Sequence, residues 1–90
     1  MSTTLLDVLD GSRDNNIKFV DLRTLLLQLG FRERIKGDHH IYKLDGIPDR
    51  VNIQPKGNMA KSYQVRQIRG IIQKHNLSFL LRRYPHEESH

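Results

Sequence analysis

Ninety residues with fifteen Lys/Arg, ten Asp/Glu and a net charge of +5 allow one domain at most, with a modest core and little room for a cofactor cavity. The absence of cysteine excludes disulfides and Cys-based zinc or iron–sulfur sites, and no apolar run approaches the roughly 18–20 residues of a membrane span. Residues 1–49 hold seven basic and eight acidic side chains, whereas Arg50 to His86 holds eight basic ones and no acid. That asymmetry is either a solvated surface or a site for a polyanion, nucleic acid being the commonest.

The opening Met1-Ser2-Thr3-Thr4-Leu5-Leu6-Asp7 meets an acid too early for a secretory signal, so a soluble, cytoplasmic chain without membrane contact is expected. Leu5, Leu6, Val8 and Leu9, stopped by Gly11, form a short helix or an arm over 1–16, and Ser12 to Asn16 is a polar turn. Asp21 to Leu29 is the strongest helical signal. Asp21 is the expected N-cap, Leu22, Leu25, Leu26 and Leu29 share one face, and Gly30 ends the helix. Phe31-Arg32-Glu33-Arg34-Ile35-Lys36 alternates as a half-buried strand, and Gly37-Asp38 is a turn. On the next strand His40, Tyr42 and Leu44 share one face, and His39, Ile41 and Lys43 the other. Asp45-Gly46 leads to a third strand, Arg50 to Gln54, closing an antiparallel meander. Pro55-Lys56-Gly57-Asn58 begins a basic loop. A last helix, Ser62 to His75, buries Val65, Ile68, Ile71 and Ile72, with Asn76 as its cap. Gly70 in its interior suggests a close backbone approach. Leu77 to Leu81 and a tail complete an extension over 77–90. The expected fold class is α+β, a two-layer α-β-β-β-α sandwich with an extra N-terminal segment and a core domain over 17–76.

His39-His40 is the pair most able to carry chemistry, and three readings stand. A shared metal is disfavoured, because adjacent strand residues point to opposite faces and His75, His86 and His90 are scattered. A structural hydrogen bond suits His39. General acid–base catalysis suits His40, since imidazole works near neutral pH. Metal-free RNA cleavage needs a base for the ribose 2′-hydroxyl and cations for the phosphate, for which Lys36, Lys56 and Lys61 are candidates. Arg66, Arg69 and Lys74 are either a solvated helix face or phosphate contacts. Tyr42 either stacks on a base or belongs to the core.

Phe19-x-Asp21-Leu22-x-x-Leu25-Leu26-x-x-Leu29-Gly30-Phe31, then Gly37-x-His39-His40-Ile41-Tyr42, Asn52-Ile53-Gln54-Pro55-Lys56-Gly57 and Tyr63-Gln64-Val65 together resemble the HicA toxins over residues 17–76. The resemblance implies a fold like the double-stranded-RNA-binding domain and an endoribonuclease that cleaves mRNA independently of the ribosome; from the residues, no cofactor or metal is expected. It also implies a HicB antitoxin partner over the active site. The family's catalytic histidine corresponds to His40. The expected RNA-binding set is Lys36, Gly37, Asp38, Tyr42, Lys56, Lys61, Arg66 and Arg69. The family usually has Ser where this chain has Asp38, and a carboxylate there would repel a phosphate and attract a nearby His40 imidazolium. The alternative is a non-catalytic module of the same fold that binds RNA or only the antitoxin.

Overall fold

A computed structural model describes residues 3–81; the tail after Leu81, with His86 and His90, falls outside them. The elements are α1 (Thr3–Asp10), α2 (Phe19–Gln28), β1 (Arg32–Lys36), β2 (His39–Lys43), β3 (Arg50–Ile53) and α3 (Ser62–Lys74). The three strands form one antiparallel sheet in the order β1-β2-β3. Helices lie on one of its faces, giving the two-layer α-β-β-β-α sandwich, with α1 packed against α2 and α3. Among the described residues, no helix is long and apolar enough to cross a membrane.

Helix α2 begins earlier than its sequence suggests. Asp21 is not its N-cap: Lys18 holds that place in an extended conformation. The reason is non-local. The Phe19 N–H donates to the Asn58 carbonyl and the Ala60 N–H to the Ile17 carbonyl, both at 2.9 Å, so Ile17 to Phe19 pairs with the loop before α3. That loop supplies the partner that the exposed first N–H of a helix lacks. Asp21 sits instead in the first turn, where a carboxylate still suits the positive helix end. At the other end Gly30 has φ +99°, its N–H donates to Leu27 at 3.0 Å, and the Phe31 N–H to Leu26 at 3.0 Å. These two bonds are a Schellman stop, and they turn the chain straight into β1.

β1 and β2 are joined by two residues, with Lys36 paired to His39 across the turn. Gly37 has φ +63°, a positive φ at the first central position that matches a type II′ hairpin and explains the glycine. The core-facing row of the sheet includes Tyr42, Val51 and Ile53, each fully buried against Leu22, Leu25, Leu26, Val65, Ile68 and Ile72. Buried Gln64 ties α3 to the sheet end: its amide donates to the Gln54 carbonyl at 3.3 Å and accepts from the Gln54 N–H at 3.0 Å. Asn76, with φ +54°, closes α3 as Gly30 closes α2, the Leu77 N–H reaching Ile72 at 2.9 Å.

The segments before residue 17 and after residue 76 share the one core. Leu5 and Val8 of α1 and Leu77 are buried, while Leu80 and Leu81 pack at the margin. Arg69 fastens the N-terminal segment, donating to the Val8 carbonyl at 3.0 Å and forking onto Asp14 at 2.9 and 3.2 Å. The close approach expected at Gly70 is absent: a Cβ there would meet nothing within 4 Å. Gly70 is also outside the left-handed region, so its only effect on α3 is the propensity cost. Gly70→Ala should therefore raise stability by about 1 kcal/mol. Thermal or urea unfolding checks this, and a loss of stability would contradict the open surroundings of that residue.

Candidate functional site

The site gathers around one acid on β1. Glu33 faces Tyr42 in the β1–β2 register and therefore projects to the helix-covered side, into a row otherwise apolar. Such an acid needs partners, since a buried unpaired charge is costly. Arg23 from α2 supplies a fork, Nε donating to Oε2 at 2.7 Å and Nη2 to Oε1 at 2.8 Å. The Tyr42 hydroxyl donates to Oε2 at 2.5 Å. His40 Nδ1 lies 3.3 Å from the same oxygen. The imidazole contact is the longest of these, so Arg23 and Tyr42 fix the carboxylate and the carboxylate orients the ring. An ionised Glu33 can only accept, so in the neutral imidazole Nδ1 carries the proton and Nε2 the lone pair. Phe19 meets the His40 ring edge-on, with centroids 4.9 Å apart. The His40 side chain retains 17% exposure.

The Arg23 fork, with help from Tyr42 and His40 and against the effect of burial, holds the Glu33 carboxyl at about 2 from an ordinary 4.5. Burial first, then the hydrogen bond to Glu33 and its charge, push the Tyr42 hydroxyl well above the ordinary tyrosine range. The pair is thus a carboxylate and a neutral phenol across any working pH.

His39 is set differently. Its side chain is exposed on the helix-free face, with Nδ1 3.1 Å from the Asn52 amide oxygen and Nε2 3.9 Å from Asp38. Asp38 accepts from Gln54 Nε2 at 2.9 Å. That bond, aided by the charges of His39 and Lys61, lowers its pKa. The acid against His40 is therefore Glu33 and not Asp38, whose carboxylate is engaged at the hairpin tip beside the other histidine. Among the described residues, no three of His, Asp and Glu are grouped so as to hold a metal.

The remaining sequence candidates divide. Lys36, Gly37, Asp38, Lys56 and Arg66 are exposed and Lys61 is partly so; Lys61, at the N-cap of α3, lies near enough to Asp38 to influence its charge. Two others are corrected. Tyr42 is fully buried and its hydroxyl is taken by Glu33, so it cannot stack on a base; it belongs to the core while His40, next on the same row, reaches the margin. Arg69 is spent on Asp14 and Val8, which removes it from any phosphate-binding surface. Glu33 and Arg23 were not singled out by sequence, although alternation already put Glu33 in register with Phe31 and Ile35, an acid on an apolar row.

A family model described as HicA toxin of bacterial toxin–antitoxin matches residues 20–76, from the first turn of α2 to the residue that closes α3. No curated protein and no solved structure matches the chain.

The Glu33 cluster carries a pH signature. A carboxyl whose folded pKa is depressed contributes stability above its ordinary value, and loses it as pH falls through the folded one. Unfolding free energy should accordingly decline between about pH 4.5 and about 2, as the unfolded chain takes up the proton first. Glu33→Gln should be less stable at pH 6, where Tyr42 and Arg23 lose their anion, and should show a shallower decline across that window. Denaturant titrations at stepped pH measure both; an acid limb as steep in the variant as in the wild type would assign it to other carboxylates.

Proposed function

The chain belongs to the HicA toxins of bacterial toxin–antitoxin systems, and from this we propose that it is an endoribonuclease that cuts mRNA by metal-free acid–base chemistry at His40. The observation that carries the reading is the His40–Glu33 contact: an imidazole with Nδ1 against a fixed carboxylate. Holding one ring nitrogen protonated leaves Nε2 as the base, the arrangement that triad histidines use. Nε2 takes the proton of the ribose 2′-hydroxyl. The 2′-oxygen bonds to phosphorus, the bond to the 5′-oxygen breaks, and that oxygen leaves with a proton returned by an acid. The products are a 2′,3′-cyclic phosphate and a 5′-hydroxyl. Lys36, Lys56, Lys61 and Arg66 are available to hold the phosphate. Glu33 is a positioning residue, acting through His40. Asp38, where the family usually has Ser, removes a donor and adds a negative charge at the hairpin tip, which favours a slow enzyme. A HicB-like antitoxin is the partner that the family implies, and it would act by covering this site.

A second reading exchanges the histidines. His39 has 47% side-chain exposure against 17% for His40 and stands among the cations of the open sheet face, with Asn52 to orient it. Both readings put the base on β2 beside the turn, and they differ in which side of the sheet receives the scissile phosphate.

Purified wild type should cut a defined RNA in EDTA, leaving 5′-hydroxyl ends, and should spare the same strand with 2′-deoxyribose at the cut. His40→Ala and His40→Gln should lower the rate by ~10²–10⁴-fold, the usual worth of a positioned acid–base group, with the fold intact by circular dichroism. A comparable loss in His39→Ala with His40→Ala active would transfer the role to His39. Wild type that leaves RNA uncut would end the enzyme reading, and cutting that requires added metal would end the metal-free mechanism.

A further inference from the structure

The helix-free face of the sheet presents Arg32, Arg34 and Lys36 from β1, His39, Ile41 and Lys43 from β2, and Arg50 and Asn52 from β3. All are exposed except Ile41, which is half-buried. No Asp or Glu stands among these strand positions. Arg32 has an acid partner, Asp45 at 2.7 Å, at the far end of the strands. Among the described residues Arg34, Lys36, Lys43 and Arg50 have none.

The register sharpens this. Arg32 lies opposite Lys43, and Lys43 opposite Arg50, so three cations stand side by side across the whole sheet. Like charges directly opposite one another destabilise a sheet. A surface needed only for solubility would mix the signs, as the helix side does, where Glu33, Asp14 and Asp49 each meet a cation. Such a face calls for an anion to complete it.

We propose that this face is the track for single-stranded RNA, held through its phosphates by Arg34, Lys36, Lys43 and Arg50. The inference rests on the endoribonuclease reading and deepens it by giving the substrate its path. Five-residue strands at ~3.3 Å per residue and three strands ~4.8 Å apart make a patch of roughly 17 by 10 Å. That fits a few nucleotides of one strand and is far short of the ~16 base pairs that duplex-binding domains span. The face has no Phe, Tyr or Trp to stack a base, so binding is led by phosphate and tolerant of sequence. Its outer end is the Lys36–His39 pair beside Gly37, so the track runs to the hairpin tip, with His39 on its own face and His40 around the tip on the other side of the sheet.

The test uses a fluorescent 2′-O-methyl RNA of about 12 nucleotides, which cannot be cut at the 2′-position, and measures anisotropy across a salt series. The triple variant Arg34→Gln, Lys43→Gln, Arg50→Gln should bind roughly tenfold or more weakly at 100 mM salt. The slope of log affinity against log salt should shrink by about 2, at ~0.7 for each phosphate no longer neutralised. The triple Arg13→Gln, Lys18→Gln, Lys74→Gln on the helix side removes the same number of exposed cations and should change the slope less. The proposal is overturned if the helix-side set carries the slope, if a duplex of equal length binds more tightly than the strand, or if the open-face variant binds as wild type does, which would leave the face to a protein partner. Binding that depends on this face without cleavage of ordinary RNA would sink the enzyme reading alone; cleavage undiminished in the open-face variant would sink the track alone.

Discussion

One carboxylate at the seam between β1, β2 and α2 sets the geometry on which the rest depends. Glu33 is drawn under the helix layer by the strand register, and the energetic penalty of leaving its charge alone there is met by a fork from α2 and a phenol from β2. The consequence reaches past the ion pair. Arg23 links α2 to the sheet, and α2 also brings Phe19 against the His40 ring. The imidazole thus meets a carboxylate and an aromatic ring, both of which depend on how α2 docks. A shift of α2 would loosen both together.

Local chemistry wrote the elements plainly into the sequence. The leucine stripe of α2, the glycine after it, the alternating strands, the glycine turn at position 37 and the apolar stripe of α3 follow from periodicity and turn preference, and the sandwich follows from their order. What was illegible arose from contacts distant along the chain. Asp21 has the right chemistry for an N-cap, yet the helix starts at Phe19 because residues 58–60 pair with residues 17–19. Arg69 reads as an exposed helix cation until Asp14, 55 positions away, is placed beside it. Tyr42 and His40 share a row, and only the edge of the helix layer decides which is sealed and which reaches water.

Charge was the most misleading linear signal. Summed along the chain, residues 1–49 are nearly neutral and the following stretch is basic. Folding redistributes that sum. Asp14 and Asp49 of the neutral half neutralise Arg69 and Lys74 of the basic half, while strand alternation collects Arg32, Arg34, Lys36 and Lys43 from the neutral half onto one open face. The pleat, with its period of two, sorts charge in a way that no running total can show. The same pleat gives the central strand one histidine on each side.

The cations on β1 bear on self-association as well. β1 is an edge strand, and its outer backbone groups are unpaired by any neighbour in the sheet. Exposed edges invite a second chain to add on, and lysine or arginine along the edge is a common protection. Two copies meeting along β1 would set Arg32, Arg34 and Lys36 of one against the same residues of the other. The repulsion that readies the face for a polyanion also keeps the chains apart, so neutralising these side chains would expose an edge prone to aggregation.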